Sequence, residues 1–199
     1  MRLALLLVLV LLSGCKTLPP TAKKCFADER QCMLVEDLKW DVGESGVQIV
    51  VPIGFVTDGA SVPHEFWSVL SPNDYYTRAS FVHDYLYWTQ ACTKEQADNI
   101  LLIGMKESEV PLWKRAVVYE GVHKFGQSSW NENEKERATG LPRIIPSEYR
   151  GFPSNVSWDQ YRLTLKDKGV PLDPPLGPQP YCALGDSGKV PTKPPVVLR

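Results

Sequence analysis

The N-terminus constrains this chain most, because it decides the chemical environment in which everything after it folds. Arg2 is followed by an unbroken apolar run from Leu3 to Leu12 and then by Ser13-Gly14-Cys15. This arrangement is typical of an export signal, and the run is shorter than the roughly 20 apolar residues that a membrane-spanning helix needs. We therefore predict that residues 1–14 are a signal peptide and that the mature protein begins at Cys15.

The junction Leu12-Ser13-Gly14-Cys15 resembles the bacterial lipobox, which implies a lipoprotein with its lipid on Cys15. Acyl chains on that cysteine would anchor the chain to a membrane, because each buried CH₂ contributes about 0.8 kcal/mol. Lys16 differs from the aspartate that the resemblance associates with inner-membrane retention. We expect secretion across the inner membrane and anchoring at the outer membrane, facing the periplasm. The alternative is an ordinary cleavable signal with an incidental cysteine.

Four cysteines follow the signal, and an exported protein meets an oxidising compartment in which disulfides persist. They are Cys25, Cys32, Cys92 and Cys182, and four cysteines allow three pairings. We favour Cys25 with Cys32, which are close in sequence, and Cys92 with Cys182, which would tie the C-terminal part to the core. The alternative is that some thiols stay free.

Composition divides the remaining chain into three parts. Residues 15–24 are polar and predict a tether, residues 25–130 a globular domain, and residues 131–199 a polar and proline-rich extension. So many prolines remove backbone donors, so this extension should wrap around the domain or dangle from it. The formal net charge is −1 with neither sign clustered, which gives no indication of a nucleic-acid partner.

The patterning of apolar residues predicts a mainly helical α+β domain. A strand-like segment from Met33 to Val56 contains the turn residues Gly43 to Gly46, which indicates a small N-terminal β-hairpin. Apolar spacing of three and four residues then predicts helices over 75–90 and 93–107, the second opened by a capping box at Thr93. A third helix from Pro111 to Phe125 and a short one over Glu65 to Leu70 complete the prediction.

The first two helices are predicted to form an antiparallel hairpin that turns near Ala91. His83 and Asp98 lie at nearly equal distances along the chain from that turn. Because both helices rise about 1.5 Å per residue, the two side chains should lie at the same height. A carboxylate that faces an imidazole fixes its tautomer and stabilises its protonated form, so the pair is a candidate catalytic base and orienting group. The alternative is a polar pair that satisfies itself inside the hairpin.

A wider set of motifs resembles an uncharacterised domain family of phages and bacteria. The motifs are Thr57-Asp58-Gly59-Ala60-Ser61-Val62-Pro63, Trp67, Tyr76-Thr77-Arg78, His83-Asp84-Tyr85-Leu86-Tyr87, Ala97-Asp98 and Met105. The resemblance covers roughly residues 33 to 126. It implies no established reaction.

A second resemblance does imply one. A His-Asp-x-x-Tyr helix, an Asp on the next helix and an upstream Asp-Gly-x-Ser loop are similar to the secreted phospholipase A₂ superfamily, especially its bacterial members. By that similarity His83 would be the base, Asp98 its orienting group and Asp84 a calcium ligand, with Asp58 and the backbone of Gly59 on the metal side. The fold would then have a phospholipase A₂-like core. Without the resemblance, Asp84 is typical of a solvated helix acid and Asp58-Gly59 of a tight turn.

Two functional hypotheses follow from the sequence. The first is a phage-encoded or bacterial envelope lipoprotein that acts as a calcium-dependent phospholipase or esterase on phospholipid. The second is a non-enzymatic envelope lipoprotein of phage or prophage origin that binds a surface protein, to exclude a second infection or to assist lysis.

Overall fold

The computed structural model describes residues 21–59, 77–171 and 176–192. The predicted signal peptide, Cys15 and the short helix predicted over Glu65 to Leu70 lie outside these residues. Within the described ranges, every helix is too short or too polar to cross a membrane.

The strands of the described residues form two small antiparallel sheets. Strands β1 (Lys23–Cys25), β2 (Cys32–Leu34) and β5 (Val56–Thr57) pair in the order β1-β2-β5. Strands β3 (Leu38–Asp41) and β4 (Gln48–Val51) form a separate hairpin. The single strand-like segment of the sequence therefore contributes to both sheets.

The predicted hairpin is confirmed in β3 and β4, where Leu38 pairs with Val51 and Asp41 with Gln48. The turn between them needs backbone with positive φ, and Gly43 and Gly46 supply it at +54° and +71°. Ile49 and Val51 alternate with exposed residues along β4 and are fully buried, so one face of the hairpin covers the core.

Five α-helices lie in the described part of the chain, and with the small sheets they confirm a mainly helical α+β fold. They are α1 (Thr77–Thr89), α2 (Lys94–Glu107), α3 (Leu112–Phe125), α4 (Gln127–Ala138) and α5 (Trp158–Asp167). Two 3₁₀ helices, Ser147–Tyr149 and Pro180–Asp186, lie in the C-terminal part.

Helices α1 and α2 form the predicted antiparallel hairpin. Near its open end, Gly104 of α2 packs so closely on Ala79 of α1 that an added Cβ would lie 2.7 Å from that of Ala79. The predicted capping box is present at the start of α2. The Thr93 side chain accepts a hydrogen bond from the backbone N–H of Gln96, and the Gln96 side chain accepts one from the backbone N–H of Thr93.

The third predicted helix is present, and only some of its apolar side chains face the core. Val118 and Val122 are buried, whereas Trp113 is 54 % exposed and Ala116 is also exposed. The helix is apolar on several sides, so its spacing alone did not identify the packed face. At Gly126 the chain passes directly into α4.

The C-terminal part packs on the N-terminal strands. Phe152 and Trp158 stack or tilt against Phe26 in a buried cluster that also holds Met33 and Val56. The favoured disulfides are confirmed: Cys25 pairs with Cys32, and Cys92 pairs with Cys182.

Candidate functional site

His83 and Asp98 meet at the centre of the helix hairpin. The imidazole is 2 % exposed, the carboxylate is fully buried, and His83 Nε2 lies 3.0 Å from Asp98 Oδ1. Both side chains are thus held by the packing of α1 against α2. The structure brings together the two groups that the sequence placed at one height.

The protonation of this pair follows from its surroundings. Burial lowers the pKa of His83 below its usual value, and the hydrogen bond to Asp98 raises it again without reversing the shift. Burial raises the pKa of Asp98, but hydrogen bonds from His83, Lys94 and Tyr87 outweigh this and lower it overall. The site therefore holds a neutral imidazole beside an ionised carboxylate at neutral pH.

The tautomer of His83 is defined by the same contact. An ionised carboxylate only accepts hydrogen bonds, so Nε2 carries the proton and donates it to Asp98. Nδ1 then holds a lone pair, and this buried atom has no hydrogen-bond partner within the described residues. Buried polar atoms are rarely left unpaired, so Nδ1 is the exceptional atom of the site.

Two further side chains contact Asp98, and the sequence-based prediction gave neither a role. Tyr87, four residues after His83 on α1, donates from its hydroxyl to Oδ1 at 2.7 Å. Lys94, four residues before Asp98 on α2, donates from Nζ to Oδ2 at 2.8 Å. The four-residue spacing on each helix was the signal that could have found them, because such residues share a helix face.

Asp84 lies on the side of α1 that faces strand β5. Its Oδ2 accepts a hydrogen bond from the Thr57 hydroxyl, which in turn accepts one from the backbone of Gly59 at 2.9 Å. Gly59 has a φ of +63° and sits against the Phe81 ring, where an added Cβ would lie 2.7 Å from a ring carbon. Asp58 is exposed on the same turn.

Two of the predicted calcium ligands, Asp84 and Gly59, are linked through the hydroxyl of Thr57. Asp84, Thr57 and the turn at Gly59 offer the oxygen chemistry that Ca²⁺ prefers. No group of three or more His, Cys, Asp and Glu side chains in the described ranges could hold a metal ion. Further oxygen ligands would come from backbone carbonyls, water or substrate, and the rest of the predicted loop lies outside the described residues. Calcium binding stays a prediction.

The third helix brings another imidazole near the carboxylate. His123 stacks on Tyr119, and its Nδ1 lies 3.7 Å from Asp98 Oδ2, beyond hydrogen-bond distance. Its side chain is 46 % exposed. Glu120 on the same helix pairs with Lys124.

Fold and site together define an α+β domain that carries a buried acid–base cluster on a helix hairpin. Residues 32–122 match the family described as "Protein of unknown function (DUF1353)", which is an uncharacterised domain family such as the motifs predicted.

A relative in Sinorhizobium fredii (strain NBRC 101917 / NGR234), described as "Uncharacterized protein y4jT", is 33 % identical over 159 residues. The match covers 78 % of this chain and 46 % of the relative, so the chain spans about half the length of that protein. No solved structure matches the chain significantly, and the phospholipase A₂-like core stays a prediction.

Proposed function

We propose that this protein is a lipid-anchored ester hydrolase of the bacterial envelope that acts on phospholipid, with His83 as its general base. One observation carries the proposal: the buried, neutral imidazole is bound to an ionised carboxylate through Nε2, while Nδ1 keeps an unpaired lone pair among the described residues. A histidine kept for packing alone would be expected to pair both nitrogens.

The chemistry of this arrangement is that of water activation. A water molecule that attacks an ester carbonyl must lose a proton, and Nδ1 of His83 is the atom able to take it. The imidazolium formed in this way gains an attractive partner in Asp98, which already accepts the Nε2 proton. Asp98 thus orients the base and stabilises its charged form, and Tyr87 helps to hold that carboxylate.

Asp84 and the turn at Thr57 and Gly59 would hold a calcium ion beside the base. When bound, a hard cation polarises the ester carbonyl and stabilises negative charge on its oxygen. A lipid on Cys15 would keep the domain at the surface where its substrate lies.

Burial sets a condition on this function. His83 is 2 % exposed, so an ester reaches Nδ1 only when the chain that covers the imidazole moves aside. Enzymes that open a covering segment also exclude water from the closed site, which strengthens its electrostatics.

The test is release of fatty acid from mixed micelles of phospholipid and detergent by the full-length protein, with Ca²⁺ or with a chelator. We expect calcium-dependent release that falls by about 10²-fold or more in His83→Gln and Asp98→Asn. Asp159→Asn makes the same chemical change on an exposed acid of α5 and should keep full activity. Absence of release at any calcium concentration, from protein shown to be folded, would refute the hydrolase.

A second candidate is a non-enzymatic envelope lipoprotein of phage or prophage origin that binds a surface protein. It is favoured by three apolar side chains of α3 that are unusually exposed: Leu112 at 73 %, Trp113 at 54 % and Phe125 at 64 %. In that case His83→Gln should leave the biological effect on infection or lysis intact, whereas Trp113→Ala should reduce it.

A further inference from the structure

Lys94 joins helices α2 and α3 of the site through a single ammonium group. Its Nζ donates to Asp98 Oδ2 at 2.8 Å on its own helix, and to the carbonyl oxygens of Val122 at 3.0 Å and His123 at 3.2 Å. These carbonyls lie in the last turn of α3, where a cation is favoured by the helix dipole. Lys94 therefore fastens the end of α3 to the carboxylate in the hairpin.

The two oxygens of Asp98 have different partners. Oδ1 accepts from His83 Nε2 and from the Tyr87 hydroxyl, while Oδ2 accepts from Lys94. Both donors on Oδ1 come from α1 and the donor on Oδ2 comes from α2 itself. The carboxylate plane is thus fixed from both sides, and rotation about its Cβ–Cγ bond would break all three contacts.

Placing the Lys94 ammonium group in this largely buried position costs free energy unless its N–H donors are paired. The Lys94 side chain is 14 % exposed, and lysines are almost never buried without a partner. Here its three donors have three acceptors, which is the full capacity of an ammonium group. The Lys94 side chain is also closely packed, because a Cβ added to Gly126 would lie 3.3 Å from Lys94 Cε.

We propose that Lys94 is a positioning residue: it holds Oδ1 of Asp98 against Nε2 of His83 and so keeps the imidazole in the tautomer with its lone pair on Nδ1. The role of that lone pair in hydrolysis rests on the proposed function. The positioning itself concerns three side chains whose contacts are independent of any substrate.

The direct test is the tautomer of His83, measured from the nitrogen chemical shifts of the full-length protein labelled with ¹⁵N-histidine. The chain has three histidines, and His83→Gln assigns the signal. At a pH where the imidazole is neutral, the wild-type protein should show a single tautomer with widely separated Nδ1 and Nε2 shifts. In Lys94→Met the two shifts should move toward each other as both tautomers become populated.

Two variants control this measurement. Lys124→Met makes the same substitution at an exposed lysine paired with Glu120, and it should leave the His83 shifts unchanged. Lys94→Arg keeps the charge and several donors, and it should restore the single tautomer even if Lys94→Met folds poorly. A single, unchanged tautomer in folded Lys94→Met would overturn the proposal, as would an Arg variant as mixed as the Met variant.

The kinetic test separates this inference from the proposed function. If the protein releases fatty acid, Lys94→Met should lower kcat by about 10-fold with little change in KM, because it disturbs the base and leaves lipid binding alone. Lys94→Arg should recover most of kcat. If the wild-type protein releases none, the hydrolase is refuted, while the tautomer measurement still decides the role of Lys94.

Discussion

Two regions of this molecule are held together by different physical means. In the helix-hairpin region, formed by α1 and α2, a histidine, an aspartate and a lysine are packed into the interior as a hydrogen-bonded cluster. In the sheet–α5 region, formed by β1, β2, β5 and α5, the interior is aromatic, with Phe26 and Phe152 stacked at 4.0 Å between ring centroids.

The two regions differ in how much their interior contacts contribute to the stability of the fold. The aromatic cluster gains free energy mainly from the burial of apolar surface and from contacts between rings. The charged cluster gains little net stability, because desolvation offsets the attraction between its charges. Under the proposed function, the reason to keep such a cluster is the lone pair that it fixes on His83 Nδ1. Each region also has its own disulfide, which makes the two directly comparable.

The largest expected effect comes from opening those disulfides. Cys92 and Cys182 are 90 residues apart, and Cys25 and Cys32 are 7 apart. Loop-closure entropy predicts that Cys92→Ala with Cys182→Ala lowers the free energy of unfolding by about 4.5 kcal/mol, against about 2.5 kcal/mol for the shorter loop. Urea unfolding of both double variants measures this. Equal losses would mean that the length of the closed loop does not determine how much each disulfide stabilises its region.

Truncation of the aromatic core should have a slightly smaller effect. Trp158 is 2 % exposed and contacts Phe26, so Trp158→Ala should lower the free energy of unfolding by about 4 kcal/mol. Leu163→Ala on the same helix removes a side chain that is 53 % exposed, and it should change stability by less than about 0.5 kcal/mol. The ¹⁵N shifts of His83 should stay as in the wild type. A changed tautomer would show that the two regions are coupled.

The smallest expected effect is a dependence of stability on pH that originates in the hairpin. Burial lowers the pKa of folded His83 below the value of about 6.5 that it has when unfolded. The unfolded chain therefore binds more protons as the pH falls through 6.5, and the free energy of unfolding should decrease by up to about 1.4 kcal/mol per pH unit.

Urea titrations between about pH 5 and 7 with a chelator present measure that slope. His83→Gln should flatten it, because the titrating group is gone. An unaltered slope in His83→Gln would assign the acid sensitivity to other groups.

Apart from the disulfide between Cys92 and Cys182, sequence reasoning succeeded where the interacting residues are close along the chain. The capping box at Thr93, the hairpin turn at Gly43 and Gly46, and the meeting of His83 with Asp98 all follow from spacing of less than twenty residues. Local periodicity and a short connection between neighbouring elements are enough to predict such contacts.

The parts that could not be predicted depend on contacts between distant segments. The pairing of β2 with β5 and the stacking of Phe26 on Phe152 are set by how the whole chain closes, which no local pattern encodes. The exposure of Trp113 likewise depends on which neighbour α3 packs against. Lys94 was overlooked for a different reason: its spacing from Asp98 is local, but two of its acceptors are backbone carbonyls of another helix.

The C-terminal 3₁₀ helix Pro180–Asp186 lies flat on α2, since an added Cβ on Gly185 would come within 2.4 Å of the Gln96 carbonyl oxygen. Asn99 of α2 donates to the Gly185 carbonyl at 2.9 Å. This has a consequence for biosynthesis. A nascent polypeptide halted before residue 180 would leave that flank of α2 exposed, so we expect the hairpin to finish packing only after the later residues have been synthesised.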